Sequence, residues 1–362
     1  MYCPRSSTAA PVASEQRRLS VAAFHGVMLP LLGLAMVAGI AIGSTPLAWS
    51  TVTRVLGMKL LPDGFVTGAG VVPADVAIVW LIRLPRVLVA AIVGAGLATA
   101  GAMMQGLFRN PLAEPSLTGV GPGAVLGAVI VFVTGWGTVS VVALPLAAIA
   151  SAMAALFLVY AIATRGGATP ITTLLLAGIA VGSFLSAISS LLISLNIVTW
   201  QVAQDIVFWM MGGLDSRTWA HVWLSGPFVV LGLVAAMCQS RTLDLLLLGE
   251  DGAAALGVDV ESAKRLLVFT AALLTGASVA VAGLVGFVGL IVPHATRLLL
   301  GPGHRRLIPA SAIGGATFLV ACDLLARTVR PPAEIRLGVV TALCGAPFFL
   351  ALLLRRLREA HE

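Results

Sequence analysis

Long stretches without a charged side chain dominate this sequence. Such windows, free of Asp, Glu, Lys and Arg, occur at residues 19–53, 87–108, 115–164, 166–204, 218–240, 266–296, 307–322 and 337–354. A helix that spans a bilayer needs about 20 mostly apolar residues. The window 115–164 is long enough for two helices with a turn at Gly135–Gly137. We therefore predict an all-α polytopic membrane protein with about ten transmembrane helices.

Composition excludes a soluble globular protein. Of the 362 residues, 59% are hydrophobic and 10% are charged, whereas soluble domains have about 45–50% apolar and about 25% charged residues. The formal net charge is +7. Because the basic residues are spread over loops and termini, without a basic face, we predict no binding of nucleic acid. More of them fall on one side of the predicted membrane, and the positive-inside rule then places both termini in the cytoplasm.

The chain is predicted to contain one folded unit. Residues 1–18 are polar and basic and are interpreted as a cytoplasmic N-terminal tail. Residues 19–357 form a single transmembrane domain, and its largest cytoplasmic loop covers 239–264.

The two halves of the chain share a pattern of small residues. The spacing from Gly94 to Gly101 equals that from Gly276 to Gly283, and an arginine precedes each pair. One copy starts on the predicted outside and the other on the inside. This arrangement predicts an inverted internal repeat, a common plan among transporters.

Several polar residues near the predicted helix ends are interpreted as structural. Pro111 ends a helix, and Asn110 can satisfy the carbonyl groups that this leaves; a role of this stretch in gating is the alternative. Pro293 and His294 are assigned to the same class, because a lone histidine in a membrane helix is more often a hydrogen-bonded structural residue than a ligand.

The sequence contains no Walker A loop, no paired catalytic carboxylates and no nucleophile–base pattern, so we predict no catalytic residues and no ATP hydrolysis by this chain. No cluster of His, Cys or carboxylates has metal-ligand spacing. Only Asp205, Asp323 and Glu334 approach the membrane interior, and Asp323 can pair with Arg327 four residues on. Two other classes stay open as alternatives: a gradient-driven secondary transporter, which needs a charged midplane site, and an intramembrane enzyme.

The segment 249–258 stands out within the loop 239–264. Its acidic start, alanine run and closing glycine predict a short capped helix, too short and too polar to span a membrane. A solvated surface helix and a docking helix for a cytoplasmic partner are both consistent with this pattern.

Taken together and in order, several motifs resemble the permease subunits of ATP-binding-cassette importers for ferric siderophores, haem and vitamin B12. The matching segments are Ile82–Arg86, Gln105–Pro115, Leu174–Gly178, Trp209–Leu214, Leu248–Glu250, Gly286–His294 and Thr341–Phe349. The resemblance covers about residues 20–357.

The resemblance implies partners and site residues. It implies a homodimer in the bacterial inner membrane, two cytoplasmic ATP-binding subunits that hold ATP and Mg, and an external periplasmic substrate-binding protein. The permease itself binds no cofactor or metal. The assigned positions are Gly249, Glu250, Asp251, Ala255, Leu256 and Gly257 for coupling to the ATPase, Arg83, Arg86 and Arg327 for docking of the binding protein, and Thr172 and Thr173 for the cytoplasmic gate.

One position departs from the pattern that this resemblance implies. Where the family usually has Glu-Leu-Pro-Val-Gly, this chain has Glu334–Gly338 with Arg336 in place of proline. We interpret Arg336 as an additional positive charge that faces outside, for docking or for an anionic substrate. The run from Ala326 to Glu334 resembles haem permeases more than vitamin B12 permeases. We therefore predict an iron chelate as substrate, with haem ahead of a ferric siderophore and vitamin B12 third.

Overall fold

A computed structural model describes residues 19–43, 45–62, 70–138, 140–196, 200–331 and 333–359. Within these ranges the chain is helical and has no β-strand, which confirms the predicted all-α class. The predicted tail at 1–18 lies outside the described residues.

Seven helices in the described part of the chain are long and apolar enough to cross a membrane. These are α1 (Val21–Ala41), α3 (Pro73–Leu107), α5 (Ala143–Ala163), α6 (Ile171–Asn196), α8 (Trp219–Cys238), α11 (Val260–Ala282) and α13 (His304–Thr328). Three shorter apolar segments of 10–17 residues accompany them: α4 (Val120–Thr134), α12 (Val288–Leu300) and the part Leu337–Ala351 of α14, whose full range is Leu337–Glu359. The predicted number of about ten spans stays a prediction, because only the first seven are apolar over the length that a span requires.

Four further helices lie outside these apolar segments. They are α2 (Trp49–Leu60), α7 (Trp200–Met210), α9 (Ser240–Leu246) and α10 (Glu250–Ala255). Helix α7 is not predicted from the sequence, because Gln201, Gln204 and Asp205 interrupt its apolar pattern.

Two helices begin well before the charge-free windows that predict them. Helix α3 begins at Pro73, ahead of the window 87–108, and a π-helical turn at Ala77–Arg83 continues into its apolar part. Helix α11 begins at Val260, ahead of the window 266–296, because the carboxylate of Asp259 accepts a hydrogen bond from the backbone N–H of Ser262 at 3.2 Å. An N-terminal cap of this kind stabilises a helix start despite the charged residues that follow it.

Helix α3 lies at the centre of the bundle and packs against α8, α11, α12 and α13. Gly94 of α3 faces Gly315 of α13 so closely that a Cβ on either would overlap the carbonyl oxygen of the other. A Cβ on Gly101 would likewise overlap the carbonyl oxygen of Gly289 at the start of α12, and a Cβ on Gly289 would press on the carbonyl oxygen of Leu97. Lipid provides no hydrophobic force between helices, so close backbone contact has to supply much of the attraction.

Two irregular segments meet inside the bundle. After α11 the chain turns at Gly283, and α12 begins beside Leu97 and Gly101, halfway along the apolar part of α3. The segment that follows α3 returns to the same level, where Pro115 lies close to Gly289. Non-helical backbone at membrane depth has to be enclosed by protein. Here the break between α11 and α12 and the segment between α3 and α4 lie against each other inside the bundle.

The two ends of the bundle carry different features. We name the end with Arg83, Arg86 and Arg327 the arginine end, and the end with residues 239–259 the loop end. Helix α3 runs from the arginine end to the loop end, and α11 and α13 run in the opposite direction.

Candidate functional site

Helix α10 at the loop end is capped on both sides. Gly249 precedes it with a φ of +101°, a backbone conformation that residues with a Cβ atom rarely adopt. The acidic side chains of Glu250 and Asp251 occupy the first turn of the helix. At its other end the N–H of Val258 donates to the carbonyl of Ala253 at 3.1 Å. These contacts confirm the short capped helix predicted at 249–258.

Large apolar side chains face outward around α10. Leu248 is 65% exposed and Leu256 is 60% exposed, whereas Ala253 between them is fully buried. Ala253 thus lies on the side of α10 that packs against the bundle, and the two leucines that flank the helix are exposed. Exposed apolar side chains beside a polar helix make this surface a candidate for contact with another protein or with the membrane surface.

Lys264 anchors α10 to the bundle. Its side chain is 2% exposed, and its Nζ lies 3.0 Å from Oε2 of Glu250 and 2.6 Å from Oε1 of Glu261. The same Nζ donates to the carbonyl of Thr169 at 2.8 Å. Glu250 is one of the predicted coupling residues, whereas Lys264 is not predicted from the sequence, although its spacing of three from Glu261 on one helix is a recognisable pairing signal.

The predicted gate residues lie next to this anchor. Thr172 and Thr173 occupy the first turn of α6, where Thr172 is exposed and Thr173 is half-buried. They follow Thr169 by a few residues. Through Lys264 the structure therefore joins Glu250 of the predicted coupling segment to Thr169, in the turn that precedes the predicted gate residues.

At the arginine end, two arginines hold the C-terminus of α1. Arg83 donates to the carbonyls of Ile40 at 3.0 Å and Ala41 at 2.7 Å. Arg327 donates to the carbonyl of Gly39 at 3.0 Å. The last carbonyls of a helix have no partner within it and carry partial negative charge, so arginine is a favourable cap there.

A buried ionic network links α3 with α13 and the segment before α14. Nη2 of Arg86 lies 2.9 Å from Asp323 and 2.8 Å from Glu334. The predicted pair of Asp323 with Arg327 is confirmed at 3.1 Å. One carboxylate thus serves two guanidinium groups.

The arginines predicted to dock the binding protein are buried in this geometry, and their docking role stays a prediction. Arg83, Arg86 and Arg327 are only 5%, 8% and 5% exposed, and each makes the internal contacts described above. They do not present free positive charge at the surface. The exposed basic side chains of this end include Lys59 and Arg330 instead.

Arg336 is partly exposed at the arginine end and is also engaged internally, so its role towards a partner or an anionic substrate stays a prediction. Its guanidinium binds the carboxylate of Asp215 and lies 4.1 Å above the centroid of the Phe208 ring. A cation over an aromatic face is attracted by the ring quadrupole. Arg336 therefore fastens α7 and the loop after it to the start of α14.

The pKa values of Asp215 and Glu334 are shifted in opposite directions. Burial acts to raise the pKa of Asp215, but its hydrogen bond with Glu334 and the charges of Arg86 and Arg336 outweigh burial and lower that pKa. Burial raises the pKa of Glu334. Two neighbouring carboxyls share one set of cations, and Asp215 is the one that stays ionised as pH falls.

A cavity of about 680 Å³ opens beside this network. Apolar side chains from α4, α5 and α7 line one part of it, and charged groups line the other. The charged lining consists of Asp205, Asp215, Arg217 and Arg336. A space of this kind accommodates a ligand that has both apolar surface and polar groups.

The residues interpreted as structural lie near the junction of the interrupted helices. Oδ1 of Asn110 accepts from the N–H of Leu112 at 3.0 Å and forms a tight turn that includes Pro111. Pro293 is buried within α12, and the ring of buried His294 packs edge-on against Phe348 at 6.4 Å between centroids.

Glu114 was not singled out from the sequence, and it joins the two irregular segments. Its carboxylate accepts from the N–H of Phe287 at 3.4 Å.

These features define the class of protein before any comparison. A polytopic helical protein with interrupted helices meeting inside the bundle and two differently built ends has the plan of a transport permease. The chain belongs to the FecCD transport family, whose profile matches residues 31–355. The resemblance stated from the motifs is thereby confirmed, and the alternatives of a gradient-driven transporter and an intramembrane enzyme are not supported.

Three comparisons illustrate this membership. The chain is 47% identical over 284 residues to the cobalamin import system permease protein BtuC of Halobacterium salinarum, covering 78% of this chain and 75% of that protein. It is 40% identical over 286 residues to the hemin transport system permease protein HmuU of Yersinia pestis, covering 77% and 84%. A solved chain described as a metal-chelate type ABC transporter in an inward-facing conformation matches with a TM-score of 0.78 at 31% identity, covering 92% of this chain and 99% of that one.

Proposed function

We propose that this chain is the transmembrane permease subunit of an ATP-driven importer and that it forms the translocation path. Two copies of the chain would carry two cytoplasmic ATP-binding subunits at the loop end and receive an external binding protein at the arginine end. Both termini would then lie in the cytoplasm of a cell with this importer in its inner membrane. Family membership and the names of the relatives support this assembly.

The observation that carries the proposal is the exposed leucine pair beside α10. Leu248 and Leu256 flank a helix too short to serve as a span, at the end of the bundle opposite the arginines. An ATP-binding subunit that accepts these two side chains in an apolar groove would be held by the burial of their apolar surface. Its movement would then displace α10.

Copurification tests this assignment. We expect the permease to elute with an ATPase, and the combined Leu248→Ser and Leu256→Ser variant to lose that partner while it still inserts. Leu61→Ser is the matched control, because Leu61 is 50% exposed at the opposite end. Mass measurement of the same preparation tests for two copies of the permease. An ATPase that binds the double variant as tightly as the parent would contradict the assignment of α10.

The substrate that we propose is a metal chelate with a large organic ring, with haem tested first. The run from Ala326 to Glu334 and the hemin permease relative support haem. The relative with 47% identity is named for cobalamin, which makes vitamin B12 the second candidate. The cavity at the arginine end, with apolar walls and charged groups, accords with either ligand.

Uptake into proteoliposomes separates these candidates. The complete complex with its binding protein is supplied with hemin, cyanocobalamin or a ferric siderophore outside and ATP inside. We expect ATP-dependent accumulation of hemin. Accumulation of cyanocobalamin alone would replace haem by vitamin B12, and a ferric siderophore alone would exclude both.

A further inference from the structure

Lys264 uses its full hydrogen-bonding capacity on three different segments. An ammonium group has three N–H donors and no acceptor. Its partners are Thr169 in the turn between α5 and α6, Glu250 in the first turn of α10, and Glu261 in its own helix. Because the side chain is 2% exposed, water offers no ready substitute for a partner that leaves.

The turn between α5 and α6 is bound to α11 through both backbone groups of Thr169. Its carbonyl accepts from Lys264, and its N–H donates to Oε2 of Glu261 at 3.0 Å. The hydroxyl of Thr169 also lies 2.9 Å from that of Thr164 at the end of α5. This turn therefore follows any displacement of the first turn of α11.

We infer that Lys264 is a positioning residue that transmits movement of α10 to the first turn of α6, where Thr172 and Thr173 lie. The inference rests on the proposed function, in which an ATP-binding subunit displaces α10. A displacement of Glu250 pulls on a buried ammonium that cannot remain without its acceptors, because an unpaired buried charge is strongly unfavourable. Thr169 then moves with it and carries the start of α6.

The test follows the gate rather than substrate, so it does not depend on the identity of the chelate. The complete complex of permease and ATP-binding subunit carries one reporter, Thr172→Cys, in a background with Cys3→Ser, Cys238→Ser and Cys344→Ser. The rate of reaction with a water-soluble maleimide is measured without nucleotide and after trapping with ATP and vanadate.

We expect trapping to change the labelling rate about fivefold or more in the parent, and less than about twofold in Lys264→Met, a size typical of coupling between sites. ATP hydrolysis continues in that variant, so hydrolysis and gate movement separate. A merely structural role for Lys264 would lower expression and thermal stability without this separation. Arg265→Met removes an exposed charge from the next residue and serves as the matched control.

A second pair of variants covers the case in which Lys264→Met does not assemble. Glu250 is 39% exposed at its side chain, so its replacement is compatible with folding. Glu250→Ala removes the branch to α10 and should lose the labelling response, whereas Glu250→Gln keeps an oxygen acceptor and should retain it. A full response in Lys264→Met or in Glu250→Ala overturns the inference. No response in the parent would overturn the proposed function together with the inference.

Discussion

At the scale of single residues, charge in this protein is mostly structural. Arg86 illustrates the point, because its guanidinium reaches Asp323 and Glu334 and is only 8% exposed. A charge at the edge of a membrane is tolerated when a partner and hydrogen bonds replace its hydration. Removal of one partner leaves the others buried without compensation.

Arg86→Met should therefore destabilise the protein by about 3–5 kcal/mol, the usual cost of breaking a buried ion pair by removing one member. Thermal unfolding of the purified permease in detergent provides the measurement. Arg330→Met is the control, because Arg330 is exposed at the same end. Equal midpoints for the two variants would show that the network around Asp323 contributes little to stability.

At the scale of elements, α7 depends on tertiary contacts rather than on its own sequence. It has 11 residues, and isolated helices shorter than about 12–15 residues are marginal in water. Arg336 stacks over Phe208 of this helix and binds Asp215 just beyond it. Backbone hydrogen bonds from Leu337 to Gly212 and from Gly338 to Met211, each 3.1 Å, add to this attachment.

Replacement of Arg336 should loosen α7 selectively. In Arg336→Met, amide exchange of residues 200–210 should accelerate about tenfold, since the ion pair and the cation–π contact together contribute about 1–1.5 kcal/mol. Exchange in α11 should not change. Arg336→Lys keeps the charge but not the planar stacking, so we expect an intermediate rate. Uniform acceleration over the whole chain would instead indicate general destabilisation.

At the scale of the whole molecule, the two ends are suited to different partners. The loop end presents leucines beside α10, and the arginine end presents exposed Lys59 and Arg330 above an internal ionic network. Surface ion pairs contribute about 0–1 kcal/mol each. Two exposed basic side chains on one surface would nevertheless attract an acidic partner over distance and orient it.

Charge reversal at Lys59 and Arg330 should slow association with the substrate-binding protein about tenfold at low salt and reduce its dependence on ionic strength. Stopped-flow or surface-binding kinetics over a range of salt concentrations would measure this effect. Arg241→Glu, an exposed reversal at the loop end, is the matched control and should leave the on-rate unchanged. The docking role of this surface is wrong if the reversed protein keeps the parent's on-rate and salt slope.

The sequence by itself determined the class and most of the helices. A charge-free apolar window predicts a membrane helix because each backbone group finds its partner a few residues away. The ordered motifs indicated the family correctly because each motif is a continuous segment of the chain. The capped helix at 249–258 and the pair Asp323–Arg327 are likewise local, with partners within one or two turns.

Only the tertiary structure decided which charges are free and which segments act together. Arg86 and Asp323 lie 237 residues apart, and Lys264 and Thr169 lie 95 apart. No periodicity links such positions, so the sequence assigned the arginines to an exposed surface and left Lys264 without a role. Burial and long-range hydrogen bonding depend on how the helices pack. The close backbone contacts at Gly94–Gly315 and Gly101–Gly289 determine that packing, because small residues let membrane helices approach each other.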